Sequence, residues 1–274
     1  MAADVVLALY PSLLRRSYAH DWETLCGLVI GAEDRLAAPS VIARALTYLA
    51  ILYRSQSRLD DALACLRRGL AIHRETADRN GEAQTLETLG MVHVTLGEAE
   101  RALSFFDAAL TLRREAGDIR AEGVLMSNTA EAYYRLGQYD RSLDCLERSL
   151  AIRREVDDIA GEAITLLNLA TVHHDLGRYA EAQRYADLAL EKSRASGERE
   201  TERKSHSIRA QVELNTGRVP AALADSEAAV RLAEAAGGSI DPSDLRDLIT
   251  ALRQAGHEEH AVHIGRRLAV LGLE

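Results

Sequence analysis

From Val41 to about Ile240 the apolar residues fall on helical stripes, and the stripes recur every forty residues. Leu46, Leu49, Ala50 and Tyr53 sit at i, i+3, i+4 and i+7, one face of an amphipathic helix. The same columns hold Leu86, Leu89, Gly90 and His93, then Met126, Thr129, Ala130 and Tyr133, then Leu166, Leu169, Ala170 and His173. A second stripe follows in each period, Ala62, Leu63, Leu66, Gly69 and Leu70, repeated as Ala102, Leu103, Phe106, Ala109 and Leu110. Each period thus predicts two helices, a leading and a trailing one, and the small residues of the second stripe let the two approach closely. Between them stand Gly97, Gly137, Gly177 and Gly217, where a left-handed residue ends a helix without a Cβ penalty. Ser57 holds that place in the first period and predicts a looser or strained turn. Asp78, Asp118 and Asp158 precede the next leading helices, as N-caps would.

The pattern fades at both ends. Residues 1–40 read as a degenerate helix pair, 41–240 as five forty-residue units and 241–274 as a shortened closing pair. In the first stretch, helices are expected over about 4–16 and 21–36, with Pro11 kinking or shortening the first and Trp22 in the column of Tyr139 and Tyr179. Ser40 is the expected N-cap of the helix that follows. The fifth unit departs from the pattern, because Ile208, Arg209 and Glu213 stand where core types are expected.

A fixed internal period in this range signals a chain of stacked supersecondary units, each touching only its neighbours. Composition agrees: 47% of the 274 residues are apolar but only 4% aromatic, and the four prolines leave long helices uninterrupted. The fold class is all-α. The pattern of Leu-Gly/Ala, aromatic or His, Gly, aromatic and Ala-Leu, seen best in LLNLATVHHDLGRYAEAQRYADLAL at 166–190, resembles the tetratricopeptide repeat in its forty-residue variety. The resemblance covers about 41–236 and implies a right-handed superhelical solenoid of antiparallel helix pairs. The forty-residue form is similar to the C-terminal sensor arrays of bacterial signal-transduction ATPases and antibiotic-cluster transcription regulators. It also resembles the arrays of peptide-sensing quorum regulators, and the adaptor arrays of kinesin light chains and Pins-type polarity proteins. The Arg-rich composition and the closing HIGRRLAVLGLE look most like the first. None of that family's nucleotide-binding or winged-helix parts is in the chain, so a sensor array alone, or a fragment of a longer regulator, is expected.

A formal charge of −9 argues against nucleic acid as a partner of the whole surface, since phosphate affinity needs a basic face. The three cysteines, Cys26, Cys65 and Cys145, form no CxxC pair and read as buried thiols in a reducing compartment. The first apolar run lacks the basic start of a secretion signal, and Arg15 and Arg16 close it short of the ~20 residues of a membrane span. A cytoplasmic protein without membrane contact is expected.

Catalytic motifs are missing: no GxxxxGK[ST], no GxSxG and no HExxH. His257, His260 and His263 form an HxxHxxH series, but the outer pair lie about 120° apart on a helix, so a solvated end face is favoured over a metal site. His173 shares a column with Tyr53 and Tyr133 and reads as packed, whereas His174 and Asp175 point to the other face. A lone His–Asp neighbour pair without a nucleophile is weak evidence for general-base work. Neither enzymatic activity, a cofactor nor a metal is expected.

If the units stack as the resemblance implies, the leading helices line a concave groove. Its expected ligand-binding residues are Arg54, Glu87, Met91, Asn128, Glu131, Tyr134, Arg135, Asn168, Thr171, His174, Asp175 and Gln211. Asn128 and Asn168 share one column. In family members that bind extended peptides an asparagine there pairs with the ligand backbone, since an amide both donates and accepts; the competing reading is that it bridges adjacent units. Mixed charges argue against a carboxylate clamp, and Met91, Ile51, Tyr48 and Tyr134 give an apolar strip suited to a peptide or partner helix. The expected function is recognition of a peptide, protein segment or small effector by a bacterial regulator. The alternative is a scaffold that self-associates, as a homodimer, through an end unit, suggested by Val5, Val6, Leu9 and Leu13 at one end and Leu268, Val270 and Leu271 at the other.

Overall fold

The computed structural model describes residues 19–31, 38–236 and 242–272; the expected helix over 4–16 and the bend at Pro11 lie outside them. All thirteen elements among the described residues are α-helices. The chain divides into two compact units, Met1–Gln138 and Tyr139–Glu274.

The first unit contains α1 (Ala19–Gly31), α2 (Pro39–Ser55), α3 (Leu59–Glu75), α4 (Arg79–Thr95), α5 (Ala99–Glu115) and α6 (Ile119–Arg135). The closest packing is within the pairs α2–α3 and α4–α5. The next closest joins each trailing helix to the following leading one, and α2, α4 and α6 touch in turn. Three-residue turns between helices that pack side by side make neighbours antiparallel. The second unit contains α7 (Tyr139–Glu155), α8 (Ile159–Asp175), α9 (Tyr179–Ser196), α10 (Arg199–Asn215), α11 (Val219–Ala235), α12 (Ser243–Gln254) and α13 (Glu258–Val270). It repeats the scheme: α8 packs on α9, α10 on α11 and α12 on α13, with α8, α10 and α12 in sequential contact.

Turn chemistry follows the sequence closely. At Gly97, with φ 77°, the chain turns left-handed, Gly97 donates to the Val94 carbonyl at 3.0 Å and Glu98 to that of His93 at 2.8 Å. Ser57 takes the same conformation at φ 60°, the predicted strain. Asp78, Asp118 and Asp158 each cap a leading helix, accepting from the amides of Gly81, Ala121 and Gly161 at 2.9, 3.1 and 3.1 Å. Ser40 caps nothing. Helix α2 starts one residue earlier, at Pro39 behind Ala38, because a proline at N1 brings a preset φ and has no N–H to satisfy.

Each interior is built from matched large and small residues. Phe106, 1% exposed, fills the space left by Gly90, where a Cβ would run into its ring. The His73 ring and the Arg153 guanidinium lie in the same way over Gly81 and Gly161. Those two trailing-helix residues also pair with the capping carboxylates, His73 with Asp78 at 3.0 Å and Arg153 with Asp158 at 2.6 Å. A ladder of ion pairs ties the end of each trailing helix to the start of the next leading one: Arg74–Glu82 at 2.7 Å and Arg114–Glu122 at 2.8 Å, then in the second unit Arg154–Glu162 and Arg194–Glu202, both at 2.8 Å.

The closing helices seal the second unit. Leu245, Leu248, Leu252, Ala261, Ile264 and Leu268 are buried against Ala229, Val230 and Ala233. Of the three residues expected as an apolar outer face, Leu268 is therefore core and Leu271 packs on the same cluster, while Val270 is 87% exposed. The cause is helical spacing: Leu268 continues the stripe of Ala261 and Ile264, and Val270 falls on the opposite side. Arg203 in α10, 1% exposed, holds α12 through two 2.8 Å bonds to Asp244 and pairs with Glu200 at 2.7 Å.

Candidate recognition face

In the first unit Arg54 belongs to α2, Glu87 and Met91 to α4, and Asn128, Glu131, Tyr134 and Arg135 to α6, three leading helices that touch in turn. All but the exposed Arg135 are half-buried, the state of side chains on a helix flank that still meet solvent. The Asn128 amide is engaged: its Nδ2 donates to Glu87 Oε1 at 3.0 Å, across successive leading helices. Burial pushes the Glu87 carboxyl up, and the Arg113 charge and the Asn128 amide draw it partly back. Arg135 donates to Glu131 at 2.7 Å, one turn apart.

In the second unit Asn168, Thr171, His174 and Asp175 lie on α8 and Gln211 on the adjacent α10. Thr171 spends its hydroxyl on the Leu167 carbonyl at 3.1 Å. Asn215 Nδ2 donates to His174 Nε2 at 3.0 Å, which leaves Nδ1–H to donate to Asp175 at 3.0 Å, a single neutral tautomer. Asn168 differs from Asn128. Half-buried on α8, its amide is hydrogen-bonded to none of the described residues. One turn before it Ile164 is 41% exposed, so an amide with both functions open stands beside an apolar side chain facing solvent.

Asn215 was not among the expected residues. It stands 41 positions after His174, as Asn128 stands 41 after Glu87, so the signal is the repeat period plus one. That offset joins one leading helix to the next and favours the bridging reading for Asn128.

His173 is packed as expected, its ring stacked on Tyr185 at 5.3 Å, and burial holds its pKa below the ordinary value. Burial pushes the Cys26 thiol up to about 12 and raises Cys65 and Cys145, so all three stay protonated and unreactive near neutral pH. Among the described residues no three His, Cys, Asp or Glu side chains converge to hold a metal ion, and His263 of the HxxHxxH series faces Glu227 at 3.8 Å. No helix among them is long and apolar enough to cross a membrane.

The family model that matches is the tetratricopeptide repeat, over residues 41–115 and 122–195. No curated protein matches the chain. Solved structures share its fold. The apo form of RapI has a TM-score of 0.75 at 13% identity, covering 99% of this chain and 97% of its own. NprR in complex with its cognate peptide NprX has 0.68 at 16%, covering 98% and 78%. A signal-transduction ATPase with numerous domains and a tetratricopeptide repeat sensor, from Pyrococcus horikoshii, has 0.68 at 15%; there the match takes in 97% of this chain and 44% of the other.

Proposed function

The chain belongs to the tetratricopeptide repeat family, and from that premise we propose that it is a non-catalytic recognition module, the sensor part of a bacterial regulator, which holds an extended peptide or protein segment against its leading helices. The observation that carries this reading is the open Asn168 amide beside Ile164 on α8. An amide matches one donor and one acceptor of a peptide unit, and an adjacent apolar side chain takes up an alternate ligand side chain. Support comes from NprR, whose structure of the same fold is named for its complex with a cognate peptide. In the second unit the expected face combines this site with Thr171, His174, Asp175 and Gln211; in the first unit, taken by itself, it comprises Arg54, Glu87, Met91, Asn128, Glu131, Tyr134 and Arg135. A small effector in the same groove fits less well, because the polar groups are spread along helix faces rather than gathered round a cavity. The net charge of −9 disfavours nucleic acid.

The test is to pan a random-peptide display library on the full chain and measure recovered peptides on the Asn168→Ala variant. A loss of about tenfold in affinity with an unchanged circular-dichroism spectrum is expected for one or two lost amide bonds. Peptides that bind both proteins equally would remove Asn168 from the site and this reading with it. The second reading, self-association through an end, has Leu28 at 65% and Val270 at 87% exposure in its favour. Sedimentation at several concentrations decides it, and a monomer throughout rejects it.

A further inference from the structure

The helix pairs use one pair of columns to join their two helices. In α4–α5 it holds His93 and Phe105, stacked at 5.1 Å with 8° between the rings; in α8–α9 it holds His173 and Tyr185. In α10–α11 the same columns hold Glu213 and Asp225, 7% and 4% exposed. Two more columns have changed with them: where α8 has Leu166 and Leu169, α10 has His206 and Arg209. One helix pair thus carries four ionisable groups where α8–α9 has two leucines and a stacked His–Tyr pair.

These groups are not equivalent. Arg209 grips Asp225 with Nε and Nη2, and His206 Nδ1 lies 2.8 Å from the same carboxylate. Arg194 of α9 donates to His206 Nε2 at 3.1 Å, so the imidazole is neutral and its Nδ1–H donates to Asp225. Three N–H donors fix Asp225 as an anion: burial works against its charge, but the His206 and Arg209 bonds hold it below the usual carboxylate range. Glu213 has no such support. Its Oε2 is buried without a hydrogen-bond partner, and its carboxyl faces the Asp225 anion. Two carboxylates sharing a site cannot both ionise cheaply.

We propose that the α10–α11 pair is a proton-operated clasp, closed when a protonated Glu213 donates its O–H to Asp225 and loosened when that proton leaves to water and two anions face each other inside the pair. Burial and the Asp225 charge push Glu213 up to about 7. The sign follows from linkage. The stability that neutral Glu213 contributes is complete below the ordinary value of 4.5 and is lost as pH rises through about 7. Asp225 works oppositely but only in acid, below its ordinary 3.8. Burial lowers His173, whose contribution is present above 6.5 and lost as pH falls through its lowered value, so it partly masks the clasp in the whole protein.

The charged and titratable groups around Glu213 come from each neighbouring element: Asp225 from α11, Arg218 from the turn, His206 and Arg209 from α10, and Asp187 of α9, 3.1 Å from Arg209. Helix α8 meets α10 at Asn215 through His174 beside Asp175, and α12 meets it through Asp244 on Arg203, which also pairs with Glu200 of α10 itself. The clasp stands whether or not the recognition face binds a peptide.

The test compares the full chain with its Glu213→Gln variant, which keeps a neutral donor at every pH, by hydrogen exchange of α10 and α11 peptides. Taking the ratio at each pH cancels the intrinsic exchange rates. The wild-type opening equilibrium is expected to rise about tenfold over the variant's between pH 5.5 and 8, less than full titration of the carboxyl would give because solvent screens it in part. A ratio that stays flat overturns the proposal. Should the variant fail to fold, the Glu213 carboxyl-carbon shift in labelled wild-type chain decides: a midpoint near neutrality supports the clasp and an ordinary midpoint near 4.5 overturns it.

Discussion

Gly90→Ala adds one methyl group to the interior of the first unit, and the structure says what it meets. The new Cβ lies against three carbons of the Phe106 ring, itself 1% exposed, so neither residue can move into solvent. Overpacking of this kind costs about 1–3 kcal/mol, and the better helix propensity of alanine returns about 1, which leaves a net loss of about 0–2. Phe106→Leu alone removes ring atoms above a glycine that cannot fill the gap, a loss of about 1–3 kcal/mol. Together the changes rebuild the combination at the same columns of α2–α3, Ala50 and Leu66, both fully buried. The double variant is therefore expected within about 1 kcal/mol of wild type, with a coupling of about 2 kcal/mol in the cycle. Urea unfolding of the four proteins measures it. Effects that add to within about 0.5 kcal/mol, or a stabilised Gly90→Ala, would refute the argument that the two positions share one volume.

Ala77 turns left-handed at φ 53°, in the column where Gly117 and Gly197 do so. Ala77→Gly is expected to stabilise by about 0.5–1 kcal/mol, strain relief exceeding the entropy glycine adds to the unfolded chain; a lowered Tm contradicts this. Arg203→Met strips the Asp244 carboxylate of its buried partner and is expected to cost about 3–5 kcal/mol, read as early proteolytic release of α12–α13. Arg114→Ala, at an exposed rung of the ion-pair ladder, is expected to cost no more than about 0.5 kcal/mol and to lose even that in high salt; a larger effect would show the ladder to be structural.

The helices, their turns and their caps were legible because each rests on local chemistry repeated at a fixed period: a glycine where φ is positive, an aspartate one turn before a free amide. Ser40 misled because proline at N1 competes with a hydroxyl cap and wins by one residue. The fifth unit's foreign residues Arg209 and Glu213 were visible, but their partner Asp225 was not, since it lies on another helix and only the stacked pairs His93–Phe105 and His173–Tyr185 show which columns face each other. Of the recognition face, the columns could be read and the engagement of each side chain could not. Asn128 and Asn168 are alike in sequence, yet one is tied to Glu87 and the other open.

The glycines beneath His73 and Arg153 make those two seams of the array a private fit, as Gly90 beneath Phe106 does inside its helix pair. Where Ser193 replaces the bulky residue on the trailing helix, Thr201 rather than glycine stands at the matching place on the next. A block exchanged between addresses would therefore carry half a key into the wrong lock, either a side chain driven into backbone or a hole left behind. Copies of such a module become able to sit beside one another only by changing on both sides of the joint at once, and rearranged versions of this chain are expected to fold when a crossover spares whole seams and to fail when it cuts one.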